Sequence, residues 1–137
     1  MRIFLDTNVI VSAVATRGLC ADVMREVLVR HELVISEELL KEVEGVLRDK
    51  VGVPQGVIAE IIELLRDGAI LAKSSPEADL PIRGPSDRAL ISAAVNRKTD
   101  FFVTGDRELL GLSVAGPLEI ISPRGFWERI RGPRIRK

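Results

Sequence analysis

The stretch MRIFLDTNVIVSA, residues 1–13, decides how this chain is read. Ile3-Phe4-Leu5 is the kind of short apolar run that a fully buried parallel strand needs, and Asp6 ends it. In an open α/β sheet the first polar residue after such a strand lies at its carboxyl end, where ligands bind. Asp6 is therefore expected at a rim that carries chemistry, and the residues after it are read as a polar break. The same pattern recurs later, where Phe101-Phe102-Val103 leads into Thr104-Gly105-Asp106.

Outward from these two strands the chain alternates strand and helix. Strands are expected at 2–5, 33–35, 69–72, 101–104 and 118–121. Helices are expected around 20–30, over 37–48 behind a Ser36 cap, from Pro54 to Gly68, from Pro85 to about Arg97, near 107–111 and from Pro123 onward. Residues 73–84, with Pro76 and Pro81, read as a loop. Such alternation predicts an α/β fold: a three-layer α/β/α sandwich around a central parallel sheet of about five strands. Residues 1–130 are expected to form one domain, and 131–137 a basic C-terminal tail.

Composition narrows the function classes. The 137 residues suffice for one domain with its own core, 46% of them are hydrophobic, and no apolar run approaches the roughly 20 residues a membrane span needs. A strand that starts within three positions of Met1 leaves no room for a secretion signal. The single cysteine, Cys20, cannot form an internal disulfide and reads as a small core residue. A cytoplasmic location without membrane contact is the expectation. With 20 basic and 20 acidic residues the net charge is zero, so any preference for an acidic or basic partner must come from local patches.

The acids form such a patch. A helix preceding a strand of a parallel sheet begins at the rim where the strands end, so Asp87, in the first turn of its helix, is placed beside Asp6 and Asp106. On the helix after strand two, Glu42 borders the buried stripe of Leu39, Val43 and Val46, and Glu44 borders its other side. Periodicity does not choose between them. Clustered carboxylates must take up protons or bind a cation, and hard oxygen donors without a Cys/His cluster point to Mg²⁺ or Mn²⁺. The only histidine, His31, stands at a helix end and reads as a surface or dipole-favoured residue, and no Walker loop is present.

Taken singly, each acid has a plainer role: a turn at Asp6-Thr7-Asn8, a helix cap at Asp87, a solvated helix position at Glu42. Together the segments FLDTNVIVSA, SEELLKEVEGVL, SDRALISAAV and TDFFVTGDREL resemble the four motif regions of the PIN domain family, in particular its toxin-component-like branch. The resemblance spans nearly the whole chain. It implies a divalent-metal-dependent ribonuclease, and the toxin component of a toxin–antitoxin pair. By motif position it assigns Asp6, Glu42, Asp87 and Asp106 as catalytic and metal-holding acids, with Asn8 and Thr104 supporting the first and fourth, and so selects Glu42 over Glu37, Glu38 and Glu44. Asp6, Asp87 and Asp106 would hold one Mg²⁺ or Mn²⁺, and Glu42 with Asp87 a second. Hydrolysis would leave a 5′-phosphate and a 3′-hydroxyl. The implied partners are an RNA substrate, a small antitoxin and a second copy of the chain. Asp100, at the amino end of its strand, is read as structural.

Two alternatives belong beside this. A haloacid-dehalogenase-like phosphatase also opens on an Asp after strand one, but wants a second acid where this chain has Asn8, and another where it has Leu110. A non-catalytic PIN-like scaffold that binds RNA or protein is the stronger rival. The basic run Arg124, Arg129, Arg131, Arg134, Arg136 and Lys137 offers phosphate contacts, with Arg131, Arg134, Arg136 and Lys137 as substrate-binding candidates. Phe126 and Trp127 between them are expected to pack on the sheet rather than stack bases.

Overall fold

The computed structural model describes residues 1–131. Six strands make one sheet: β1 (Arg2–Leu5), β2 (Glu32–Ser36), β3 (Ala69–Ala72), β4 (Phe101–Val103), β5 (Val114–Ala115) and β6 (Leu118–Ile121), in the order β3-β2-β1-β4-β6-β5. All pairings are parallel except that of β5 with β6. The five parallel strands are those expected. β5 is an addition, a two-residue edge strand turned back through Gly116-Pro117, too short to leave a pattern in sequence. Every residue of Ile3–Leu5, Leu33–Ser36 and Phe101–Val103 is buried, so both faces of the sheet are covered. Helices α1 (Thr7–Ala15), α2 (Leu19–Arg30), α3 (Glu37–Val46), α4 (Gln55–Asp67), α5 (Pro85–Asn96), α6 (Arg107–Leu110) and α7 (Pro123–Arg131) supply that cover. None of them is long and apolar enough to cross a membrane.

One expectation is corrected at the outset. The residues after Asp6 are not a polar break but α1, which begins directly on the end of β1. Asp6 is its N-cap, in an extended conformation, and its carbonyl accepts from the Val9 and Ile10 N–H groups. Four β-branched residues, Thr7, Val9, Ile10 and Val11, open this helix and are all buried. Such residues favour strands, so local propensity points away from helix here and packing overrules it. Ser36 caps α3 as expected, its Oγ accepting from the Leu39 N–H at 3.2 Å. The helix ends at Val46 rather than 48, because a single π turn, Leu47–Val51, follows it.

The aromatic residues distribute over the two sheet faces. Phe4 and Phe102 are register partners on neighbouring strands and stack at 5.2 Å. Phe101, one residue away, points to the other face, where Phe126 of α7 meets it edge-on at 5.6 Å. Phe126 is fully buried and Trp127 half-buried, as expected of residues that pack on the sheet. Gly125 permits the close approach of α7, since a Cβ there would lie 3.0 Å from the Ile121 side chain.

His31 contradicts the expectation of a dipole-favoured residue. It is half-buried, stands edge-on to Phe126 at 6.3 Å, and its Nδ1 is buried with no hydrogen-bond partner among the described residues. Burial, with the nearby terminal ammonium, holds the imidazole below its ordinary pKa. Cys20 packs half-buried against the core. Asp100 accepts from the Arg2 N–H at 2.8 Å and so pins the amino end of β1.

If Phe126 anchors α7, Phe126→Ala should cost about 3–5 kcal/mol of unfolding free energy, as large aromatic truncations in cores do. Trp127→Ala, half-exposed, should cost clearly less. Urea denaturation of both variants measures this, and a Phe126→Ala protein as stable as its parent would put α7 outside the core.

Candidate active site

Strand order reverses between β1 and β4, since β2 and β3 lie on one side of that pair and β6 on the other. At such a switch point the chain leaves the sheet in opposite directions and opens a crevice at the strands' carboxyl ends. Asp6 follows β1 and Thr104 follows β4 at this crevice, and the Asp6 N–H extends the ladder by donating to the Val103 carbonyl at 2.9 Å. Topology alone thus places the first and fourth motif regions together.

Asp6 is only 8% exposed. Its Oδ1 accepts from the Thr7 N–H at 2.8 Å and its Oδ2 from the Thr104 hydroxyl at 2.6 Å. The fully buried Thr104 Oγ1 in turn accepts from the Asp106 N–H at 3.0 Å. Asp106 caps α6, with Oδ1 accepting from the Glu108 and Leu109 N–H groups at 2.8 and 3.3 Å. Thr104 therefore supports both the first and the fourth acid. Asn8, expected to support Asp6, is exposed and faces the cavity, and the local contact to Asp6 comes from Thr7 instead.

The helix acids separate clearly. Glu42 accepts from the Thr7 hydroxyl at 2.7 Å through Oε1 and from the Ser86 hydroxyl through Oε2. Glu37 is bound by Arg66 at 2.7 and 2.8 Å, Glu38 by the Ser74 hydroxyl at 2.7 Å, and Glu44 by Gln55 at 3.3 Å. Only Glu42 of these four lines the cavity of about 390 Å³ that also receives Asp6, Asp87 and Asp106. Asp87 enters it from the first turn of α5. Sequence reasoning missed Thr7, Ser86, Asp49 and Lys50. Thr7 and Ser86 adjoin motif acids, but nothing in their spacing shows that both hydroxyls turn to Glu42. Asp49 and Lys50 reach the cavity from the π turn, which no hydrophobic pattern announces.

The proposed tail residues fare differently. α7 returns from the carboxyl end of β6 toward its start, so Arg129 pairs with Glu119 at 2.7 Å and lies 5.5 Å from the Phe101 ring. Arg131 stacks over Trp127 at 4.9 Å and borders a separate hollow with Glu26 and Arg30. That is the amino rim of the sheet, opposite the acids. Arg134, Arg136 and Lys137 lie outside the described residues.

Electrostatics mark the acid cavity as strained. Burial holds the Asp6 carboxyl above the ordinary aspartate range, and the charges of Glu42 and Asp106 push the same way against the Thr104 and Thr7 hydrogen bonds. Asp87 is also raised, by burial first and then by Asp6, Asp106, Glu42 and Glu108. Among the described residues no three or more His, Cys, Asp or Glu side chains are drawn together as a formed metal centre. The donors that line the cavity are nevertheless all hard oxygens, which fits a Mg²⁺- or Mn²⁺-class cation and no thiophilic one.

Comparison with known proteins agrees with this architecture. A search of curated proteins returned no match. Among solved structures, a chain in the crystal structure of VapBC2 from Rickettsia felis bound to a DNA fragment from their promoter superposes with a TM-score of 0.65. The match covers 89% of this chain and 98% of that one at 17% identity, a likeness of fold. The family model for the PIN domain matches residues 2–108, a span that includes Asp6, Glu42, Asp87 and Asp106, and the chain belongs to the PIN domain family.

Proposed function

We propose that this protein is a divalent-metal-dependent ribonuclease that hydrolyses phosphodiester bonds of single-stranded RNA. The observation that carries the reading is the convergence of Asp6, Glu42, Asp87 and Asp106 on one cavity at the sheet's switch point. PIN domains are typically nucleases and generally use divalent metals, which supports it. Asp6, Asp87 and Asp106 would hold the cation, with Glu42 and Asp87 placed for a second. A bound Mg²⁺ or Mn²⁺ supplies Lewis-acid polarisation of the phosphoryl group and a more acidic water.

The chain's own groups do the positioning. Thr104 fixes the Asp6 Oδ2 lone pair by donating to it, and α6 orients Asp106 through two N–H groups. Thr7 and Ser86 hold the two oxygens of Glu42 apart and aligned. Water adds to phosphorus as the bond to the 3′-oxygen breaks, and the products are a 5′-phosphate and a 3′-hydroxyl. The fold likeness to a chain of VapBC2 supports a further proposal, that the chain is the toxin component of a toxin–antitoxin pair with a small antitoxin partner; the resemblance of its motifs adds a second copy of the chain to that proposal. The scaffold alternative draws on one feature, the occupation of both Glu42 oxygens by protein hydroxyls.

Incubation with mixed single-stranded RNAs should give cleavage in Mg²⁺ or Mn²⁺ and none in excess EDTA. Cleavage that persists in EDTA would contradict the metal mechanism. RNA binding without cleavage under any divalent ion would favour the scaffold.

Asp87→Asn should abolish cleavage while stability in EDTA holds or rises, because the variant keeps its shape but sheds one of the clustered charges. The folded-state pKa of Asp87 lies above its ordinary value of 3.8. A raised carboxyl stabilises the fold fully below the unfolded-state pKa and loses that contribution as pH rises through the folded-state value. The difference in Tm between variant and parent in EDTA should therefore shift in the variant's favour as pH is raised from the acid side to neutrality. Added Mn²⁺ should raise the parent's Tm and not the variant's. Melting curves at several pH values test this, and a fully active Asp87→Asn enzyme would remove the centre of the mechanism.

A further inference from the structure

The inner wall of the acid cavity is one stripe of helix. Glu42, Gly45, Val46, Asp49 and Lys50 stand at i, i+3, i+4, i+7 and i+8, and all of them line it. Lys50 is the one cation among the cavity's lining residues, beside the carboxylates of Asp6, Glu42, Asp49, Asp87 and Asp106. It is exposed, and it makes no ion pair among the described residues. Its neighbours are committed elsewhere. Arg48 pairs with Asp49 at 3.1 Å and reaches Glu44 at 3.8 Å. Arg88, next to Asp87, turns away to the Ile82 and Arg83 carbonyls at 2.7 and 3.1 Å and to Glu77 at 3.5 Å.

The π turn brings Lys50 closer to the side of Glu42 than regular helical spacing would. In a regular α-helix each residue advances about 100° around the axis, so eight residues would carry Lys50 about 80° past Glu42. The wider turn over Leu47–Val51 advances less per residue and brings Lys50 back toward the side of Glu42. The turn is closed by the Gly52 N–H on the Leu47 carbonyl, with Gly52 at φ 82°, a conformation that favours glycine. Lys50 sits roughly two turns beyond Glu42 along the axis, toward the edge of the cavity, a place that suits a flanking phosphate rather than the one attacked.

From this geometry we infer that Lys50 is a substrate-binding residue, holding a phosphate that flanks the scissile one as single-stranded RNA runs along the α3 wall. The inference rests on the ribonuclease reading above. A single cation at the edge of an otherwise acidic cavity eases a difficulty of that reading, since it gives the RNA backbone one favourable side-chain contact where Asp6, Glu42, Asp49, Asp87 and Asp106 repel it.

The test is steady-state cleavage of a short single-stranded RNA in Mn²⁺ across a salt series, with the parent, Lys50→Gln, Lys50→Arg and Lys41→Gln. Lys41 is an exposed lysine of the same helix outside the cavity, so its variant controls for the loss of one positive charge. Lys50→Gln should raise KM roughly fivefold at low salt with kcat within twofold, as expected for one exposed charge-assisted contact. Its dependence of log KM on log salt should be shallower by about 0.7, the value of one phosphate contact on a single strand. Lys50→Arg should restore both, and Lys41→Gln should match the parent. An active parent with a Lys50→Gln variant indistinguishable from Lys41→Gln overturns the inference and leaves the ribonuclease reading intact. So does a fall in kcat at constant KM and salt slope, which would make Lys50 a partner of the acids rather than of RNA. A parent without metal-dependent cleavage overturns the reading itself and this inference with it.

Discussion

One buried hydroxyl joins the two halves of the acid cavity. Thr104 Oγ1 donates to Asp6 at 2.6 Å and accepts from the Asp106 N–H at 3.0 Å, so the ends of β1 and β4 are linked across the point where strand order reverses. A carboxylate as buried as Asp6 is costly unless hydrogen-bonded, and leaving it unpaired would cost more than the bond itself contributes. The Thr7 N–H and the Thr104 hydroxyl together meet that need. Placement of the remaining acids follows, because α1, anchored at Asp6, carries Thr7 to Glu42, and Glu42 in turn receives Ser86 next to Asp87.

The two rims of the sheet are built for different ends. At the amino rim Asp100 holds the start of β1, Arg2 donates to the Arg97 carbonyl at 2.7 Å, and Phe126 packs against Phe101 and His31. Opposite charges and apolar contacts meet there, and two buried polar atoms without a partner among the described residues, His31 Nδ1 and Thr99 Oγ1, work against stability. At the carboxyl rim like charges gather and the carboxyls of Asp6 and Asp87 are pushed upward. Such segregation is the usual division in parallel α/β proteins, where one end of the strands secures the fold and the other carries the chemistry.

How far the sequence reveals this depends on the length of the signal. Ile3-Phe4-Leu5, Leu33-Val34-Ile35 and Phe101-Phe102-Val103 announce buried parallel strands because both their faces must be apolar, and the rim position of three acids follows from the alternation of elements. α1 stays hidden because its buried face is written in Val, Ile and Thr, whose preference is for strands. Glu42 and Glu44 flank the same apolar stripe, and only the position of Gln55 and Arg48 on one side and of Thr7 and Ser86 on the other tells them apart. The π turn leaves no trace in a hydrophobic pattern, so the inward path of Lys50 is legible only in three dimensions. Arg131 shows the opposite failing: a basic run suggests proximity to substrate, yet the return direction of α7 sends it to the far rim.

Because α1, α5 and the single turn α6 begin at the carboxyl rim beside Asp6, Asp87 and Asp106, they bring their amino ends to the cavity, and each amino end carries a partial positive charge. Asp6 and Asp87 sit in or before first turns, so the backbone field works against the burial that raises both carboxyls. The same field opposes any cation that enters. If the cavity takes a divalent cation as proposed, the helix ends would offset part of the attraction of its carboxylates, and the ion would be held less tightly than the number of acids alone implies.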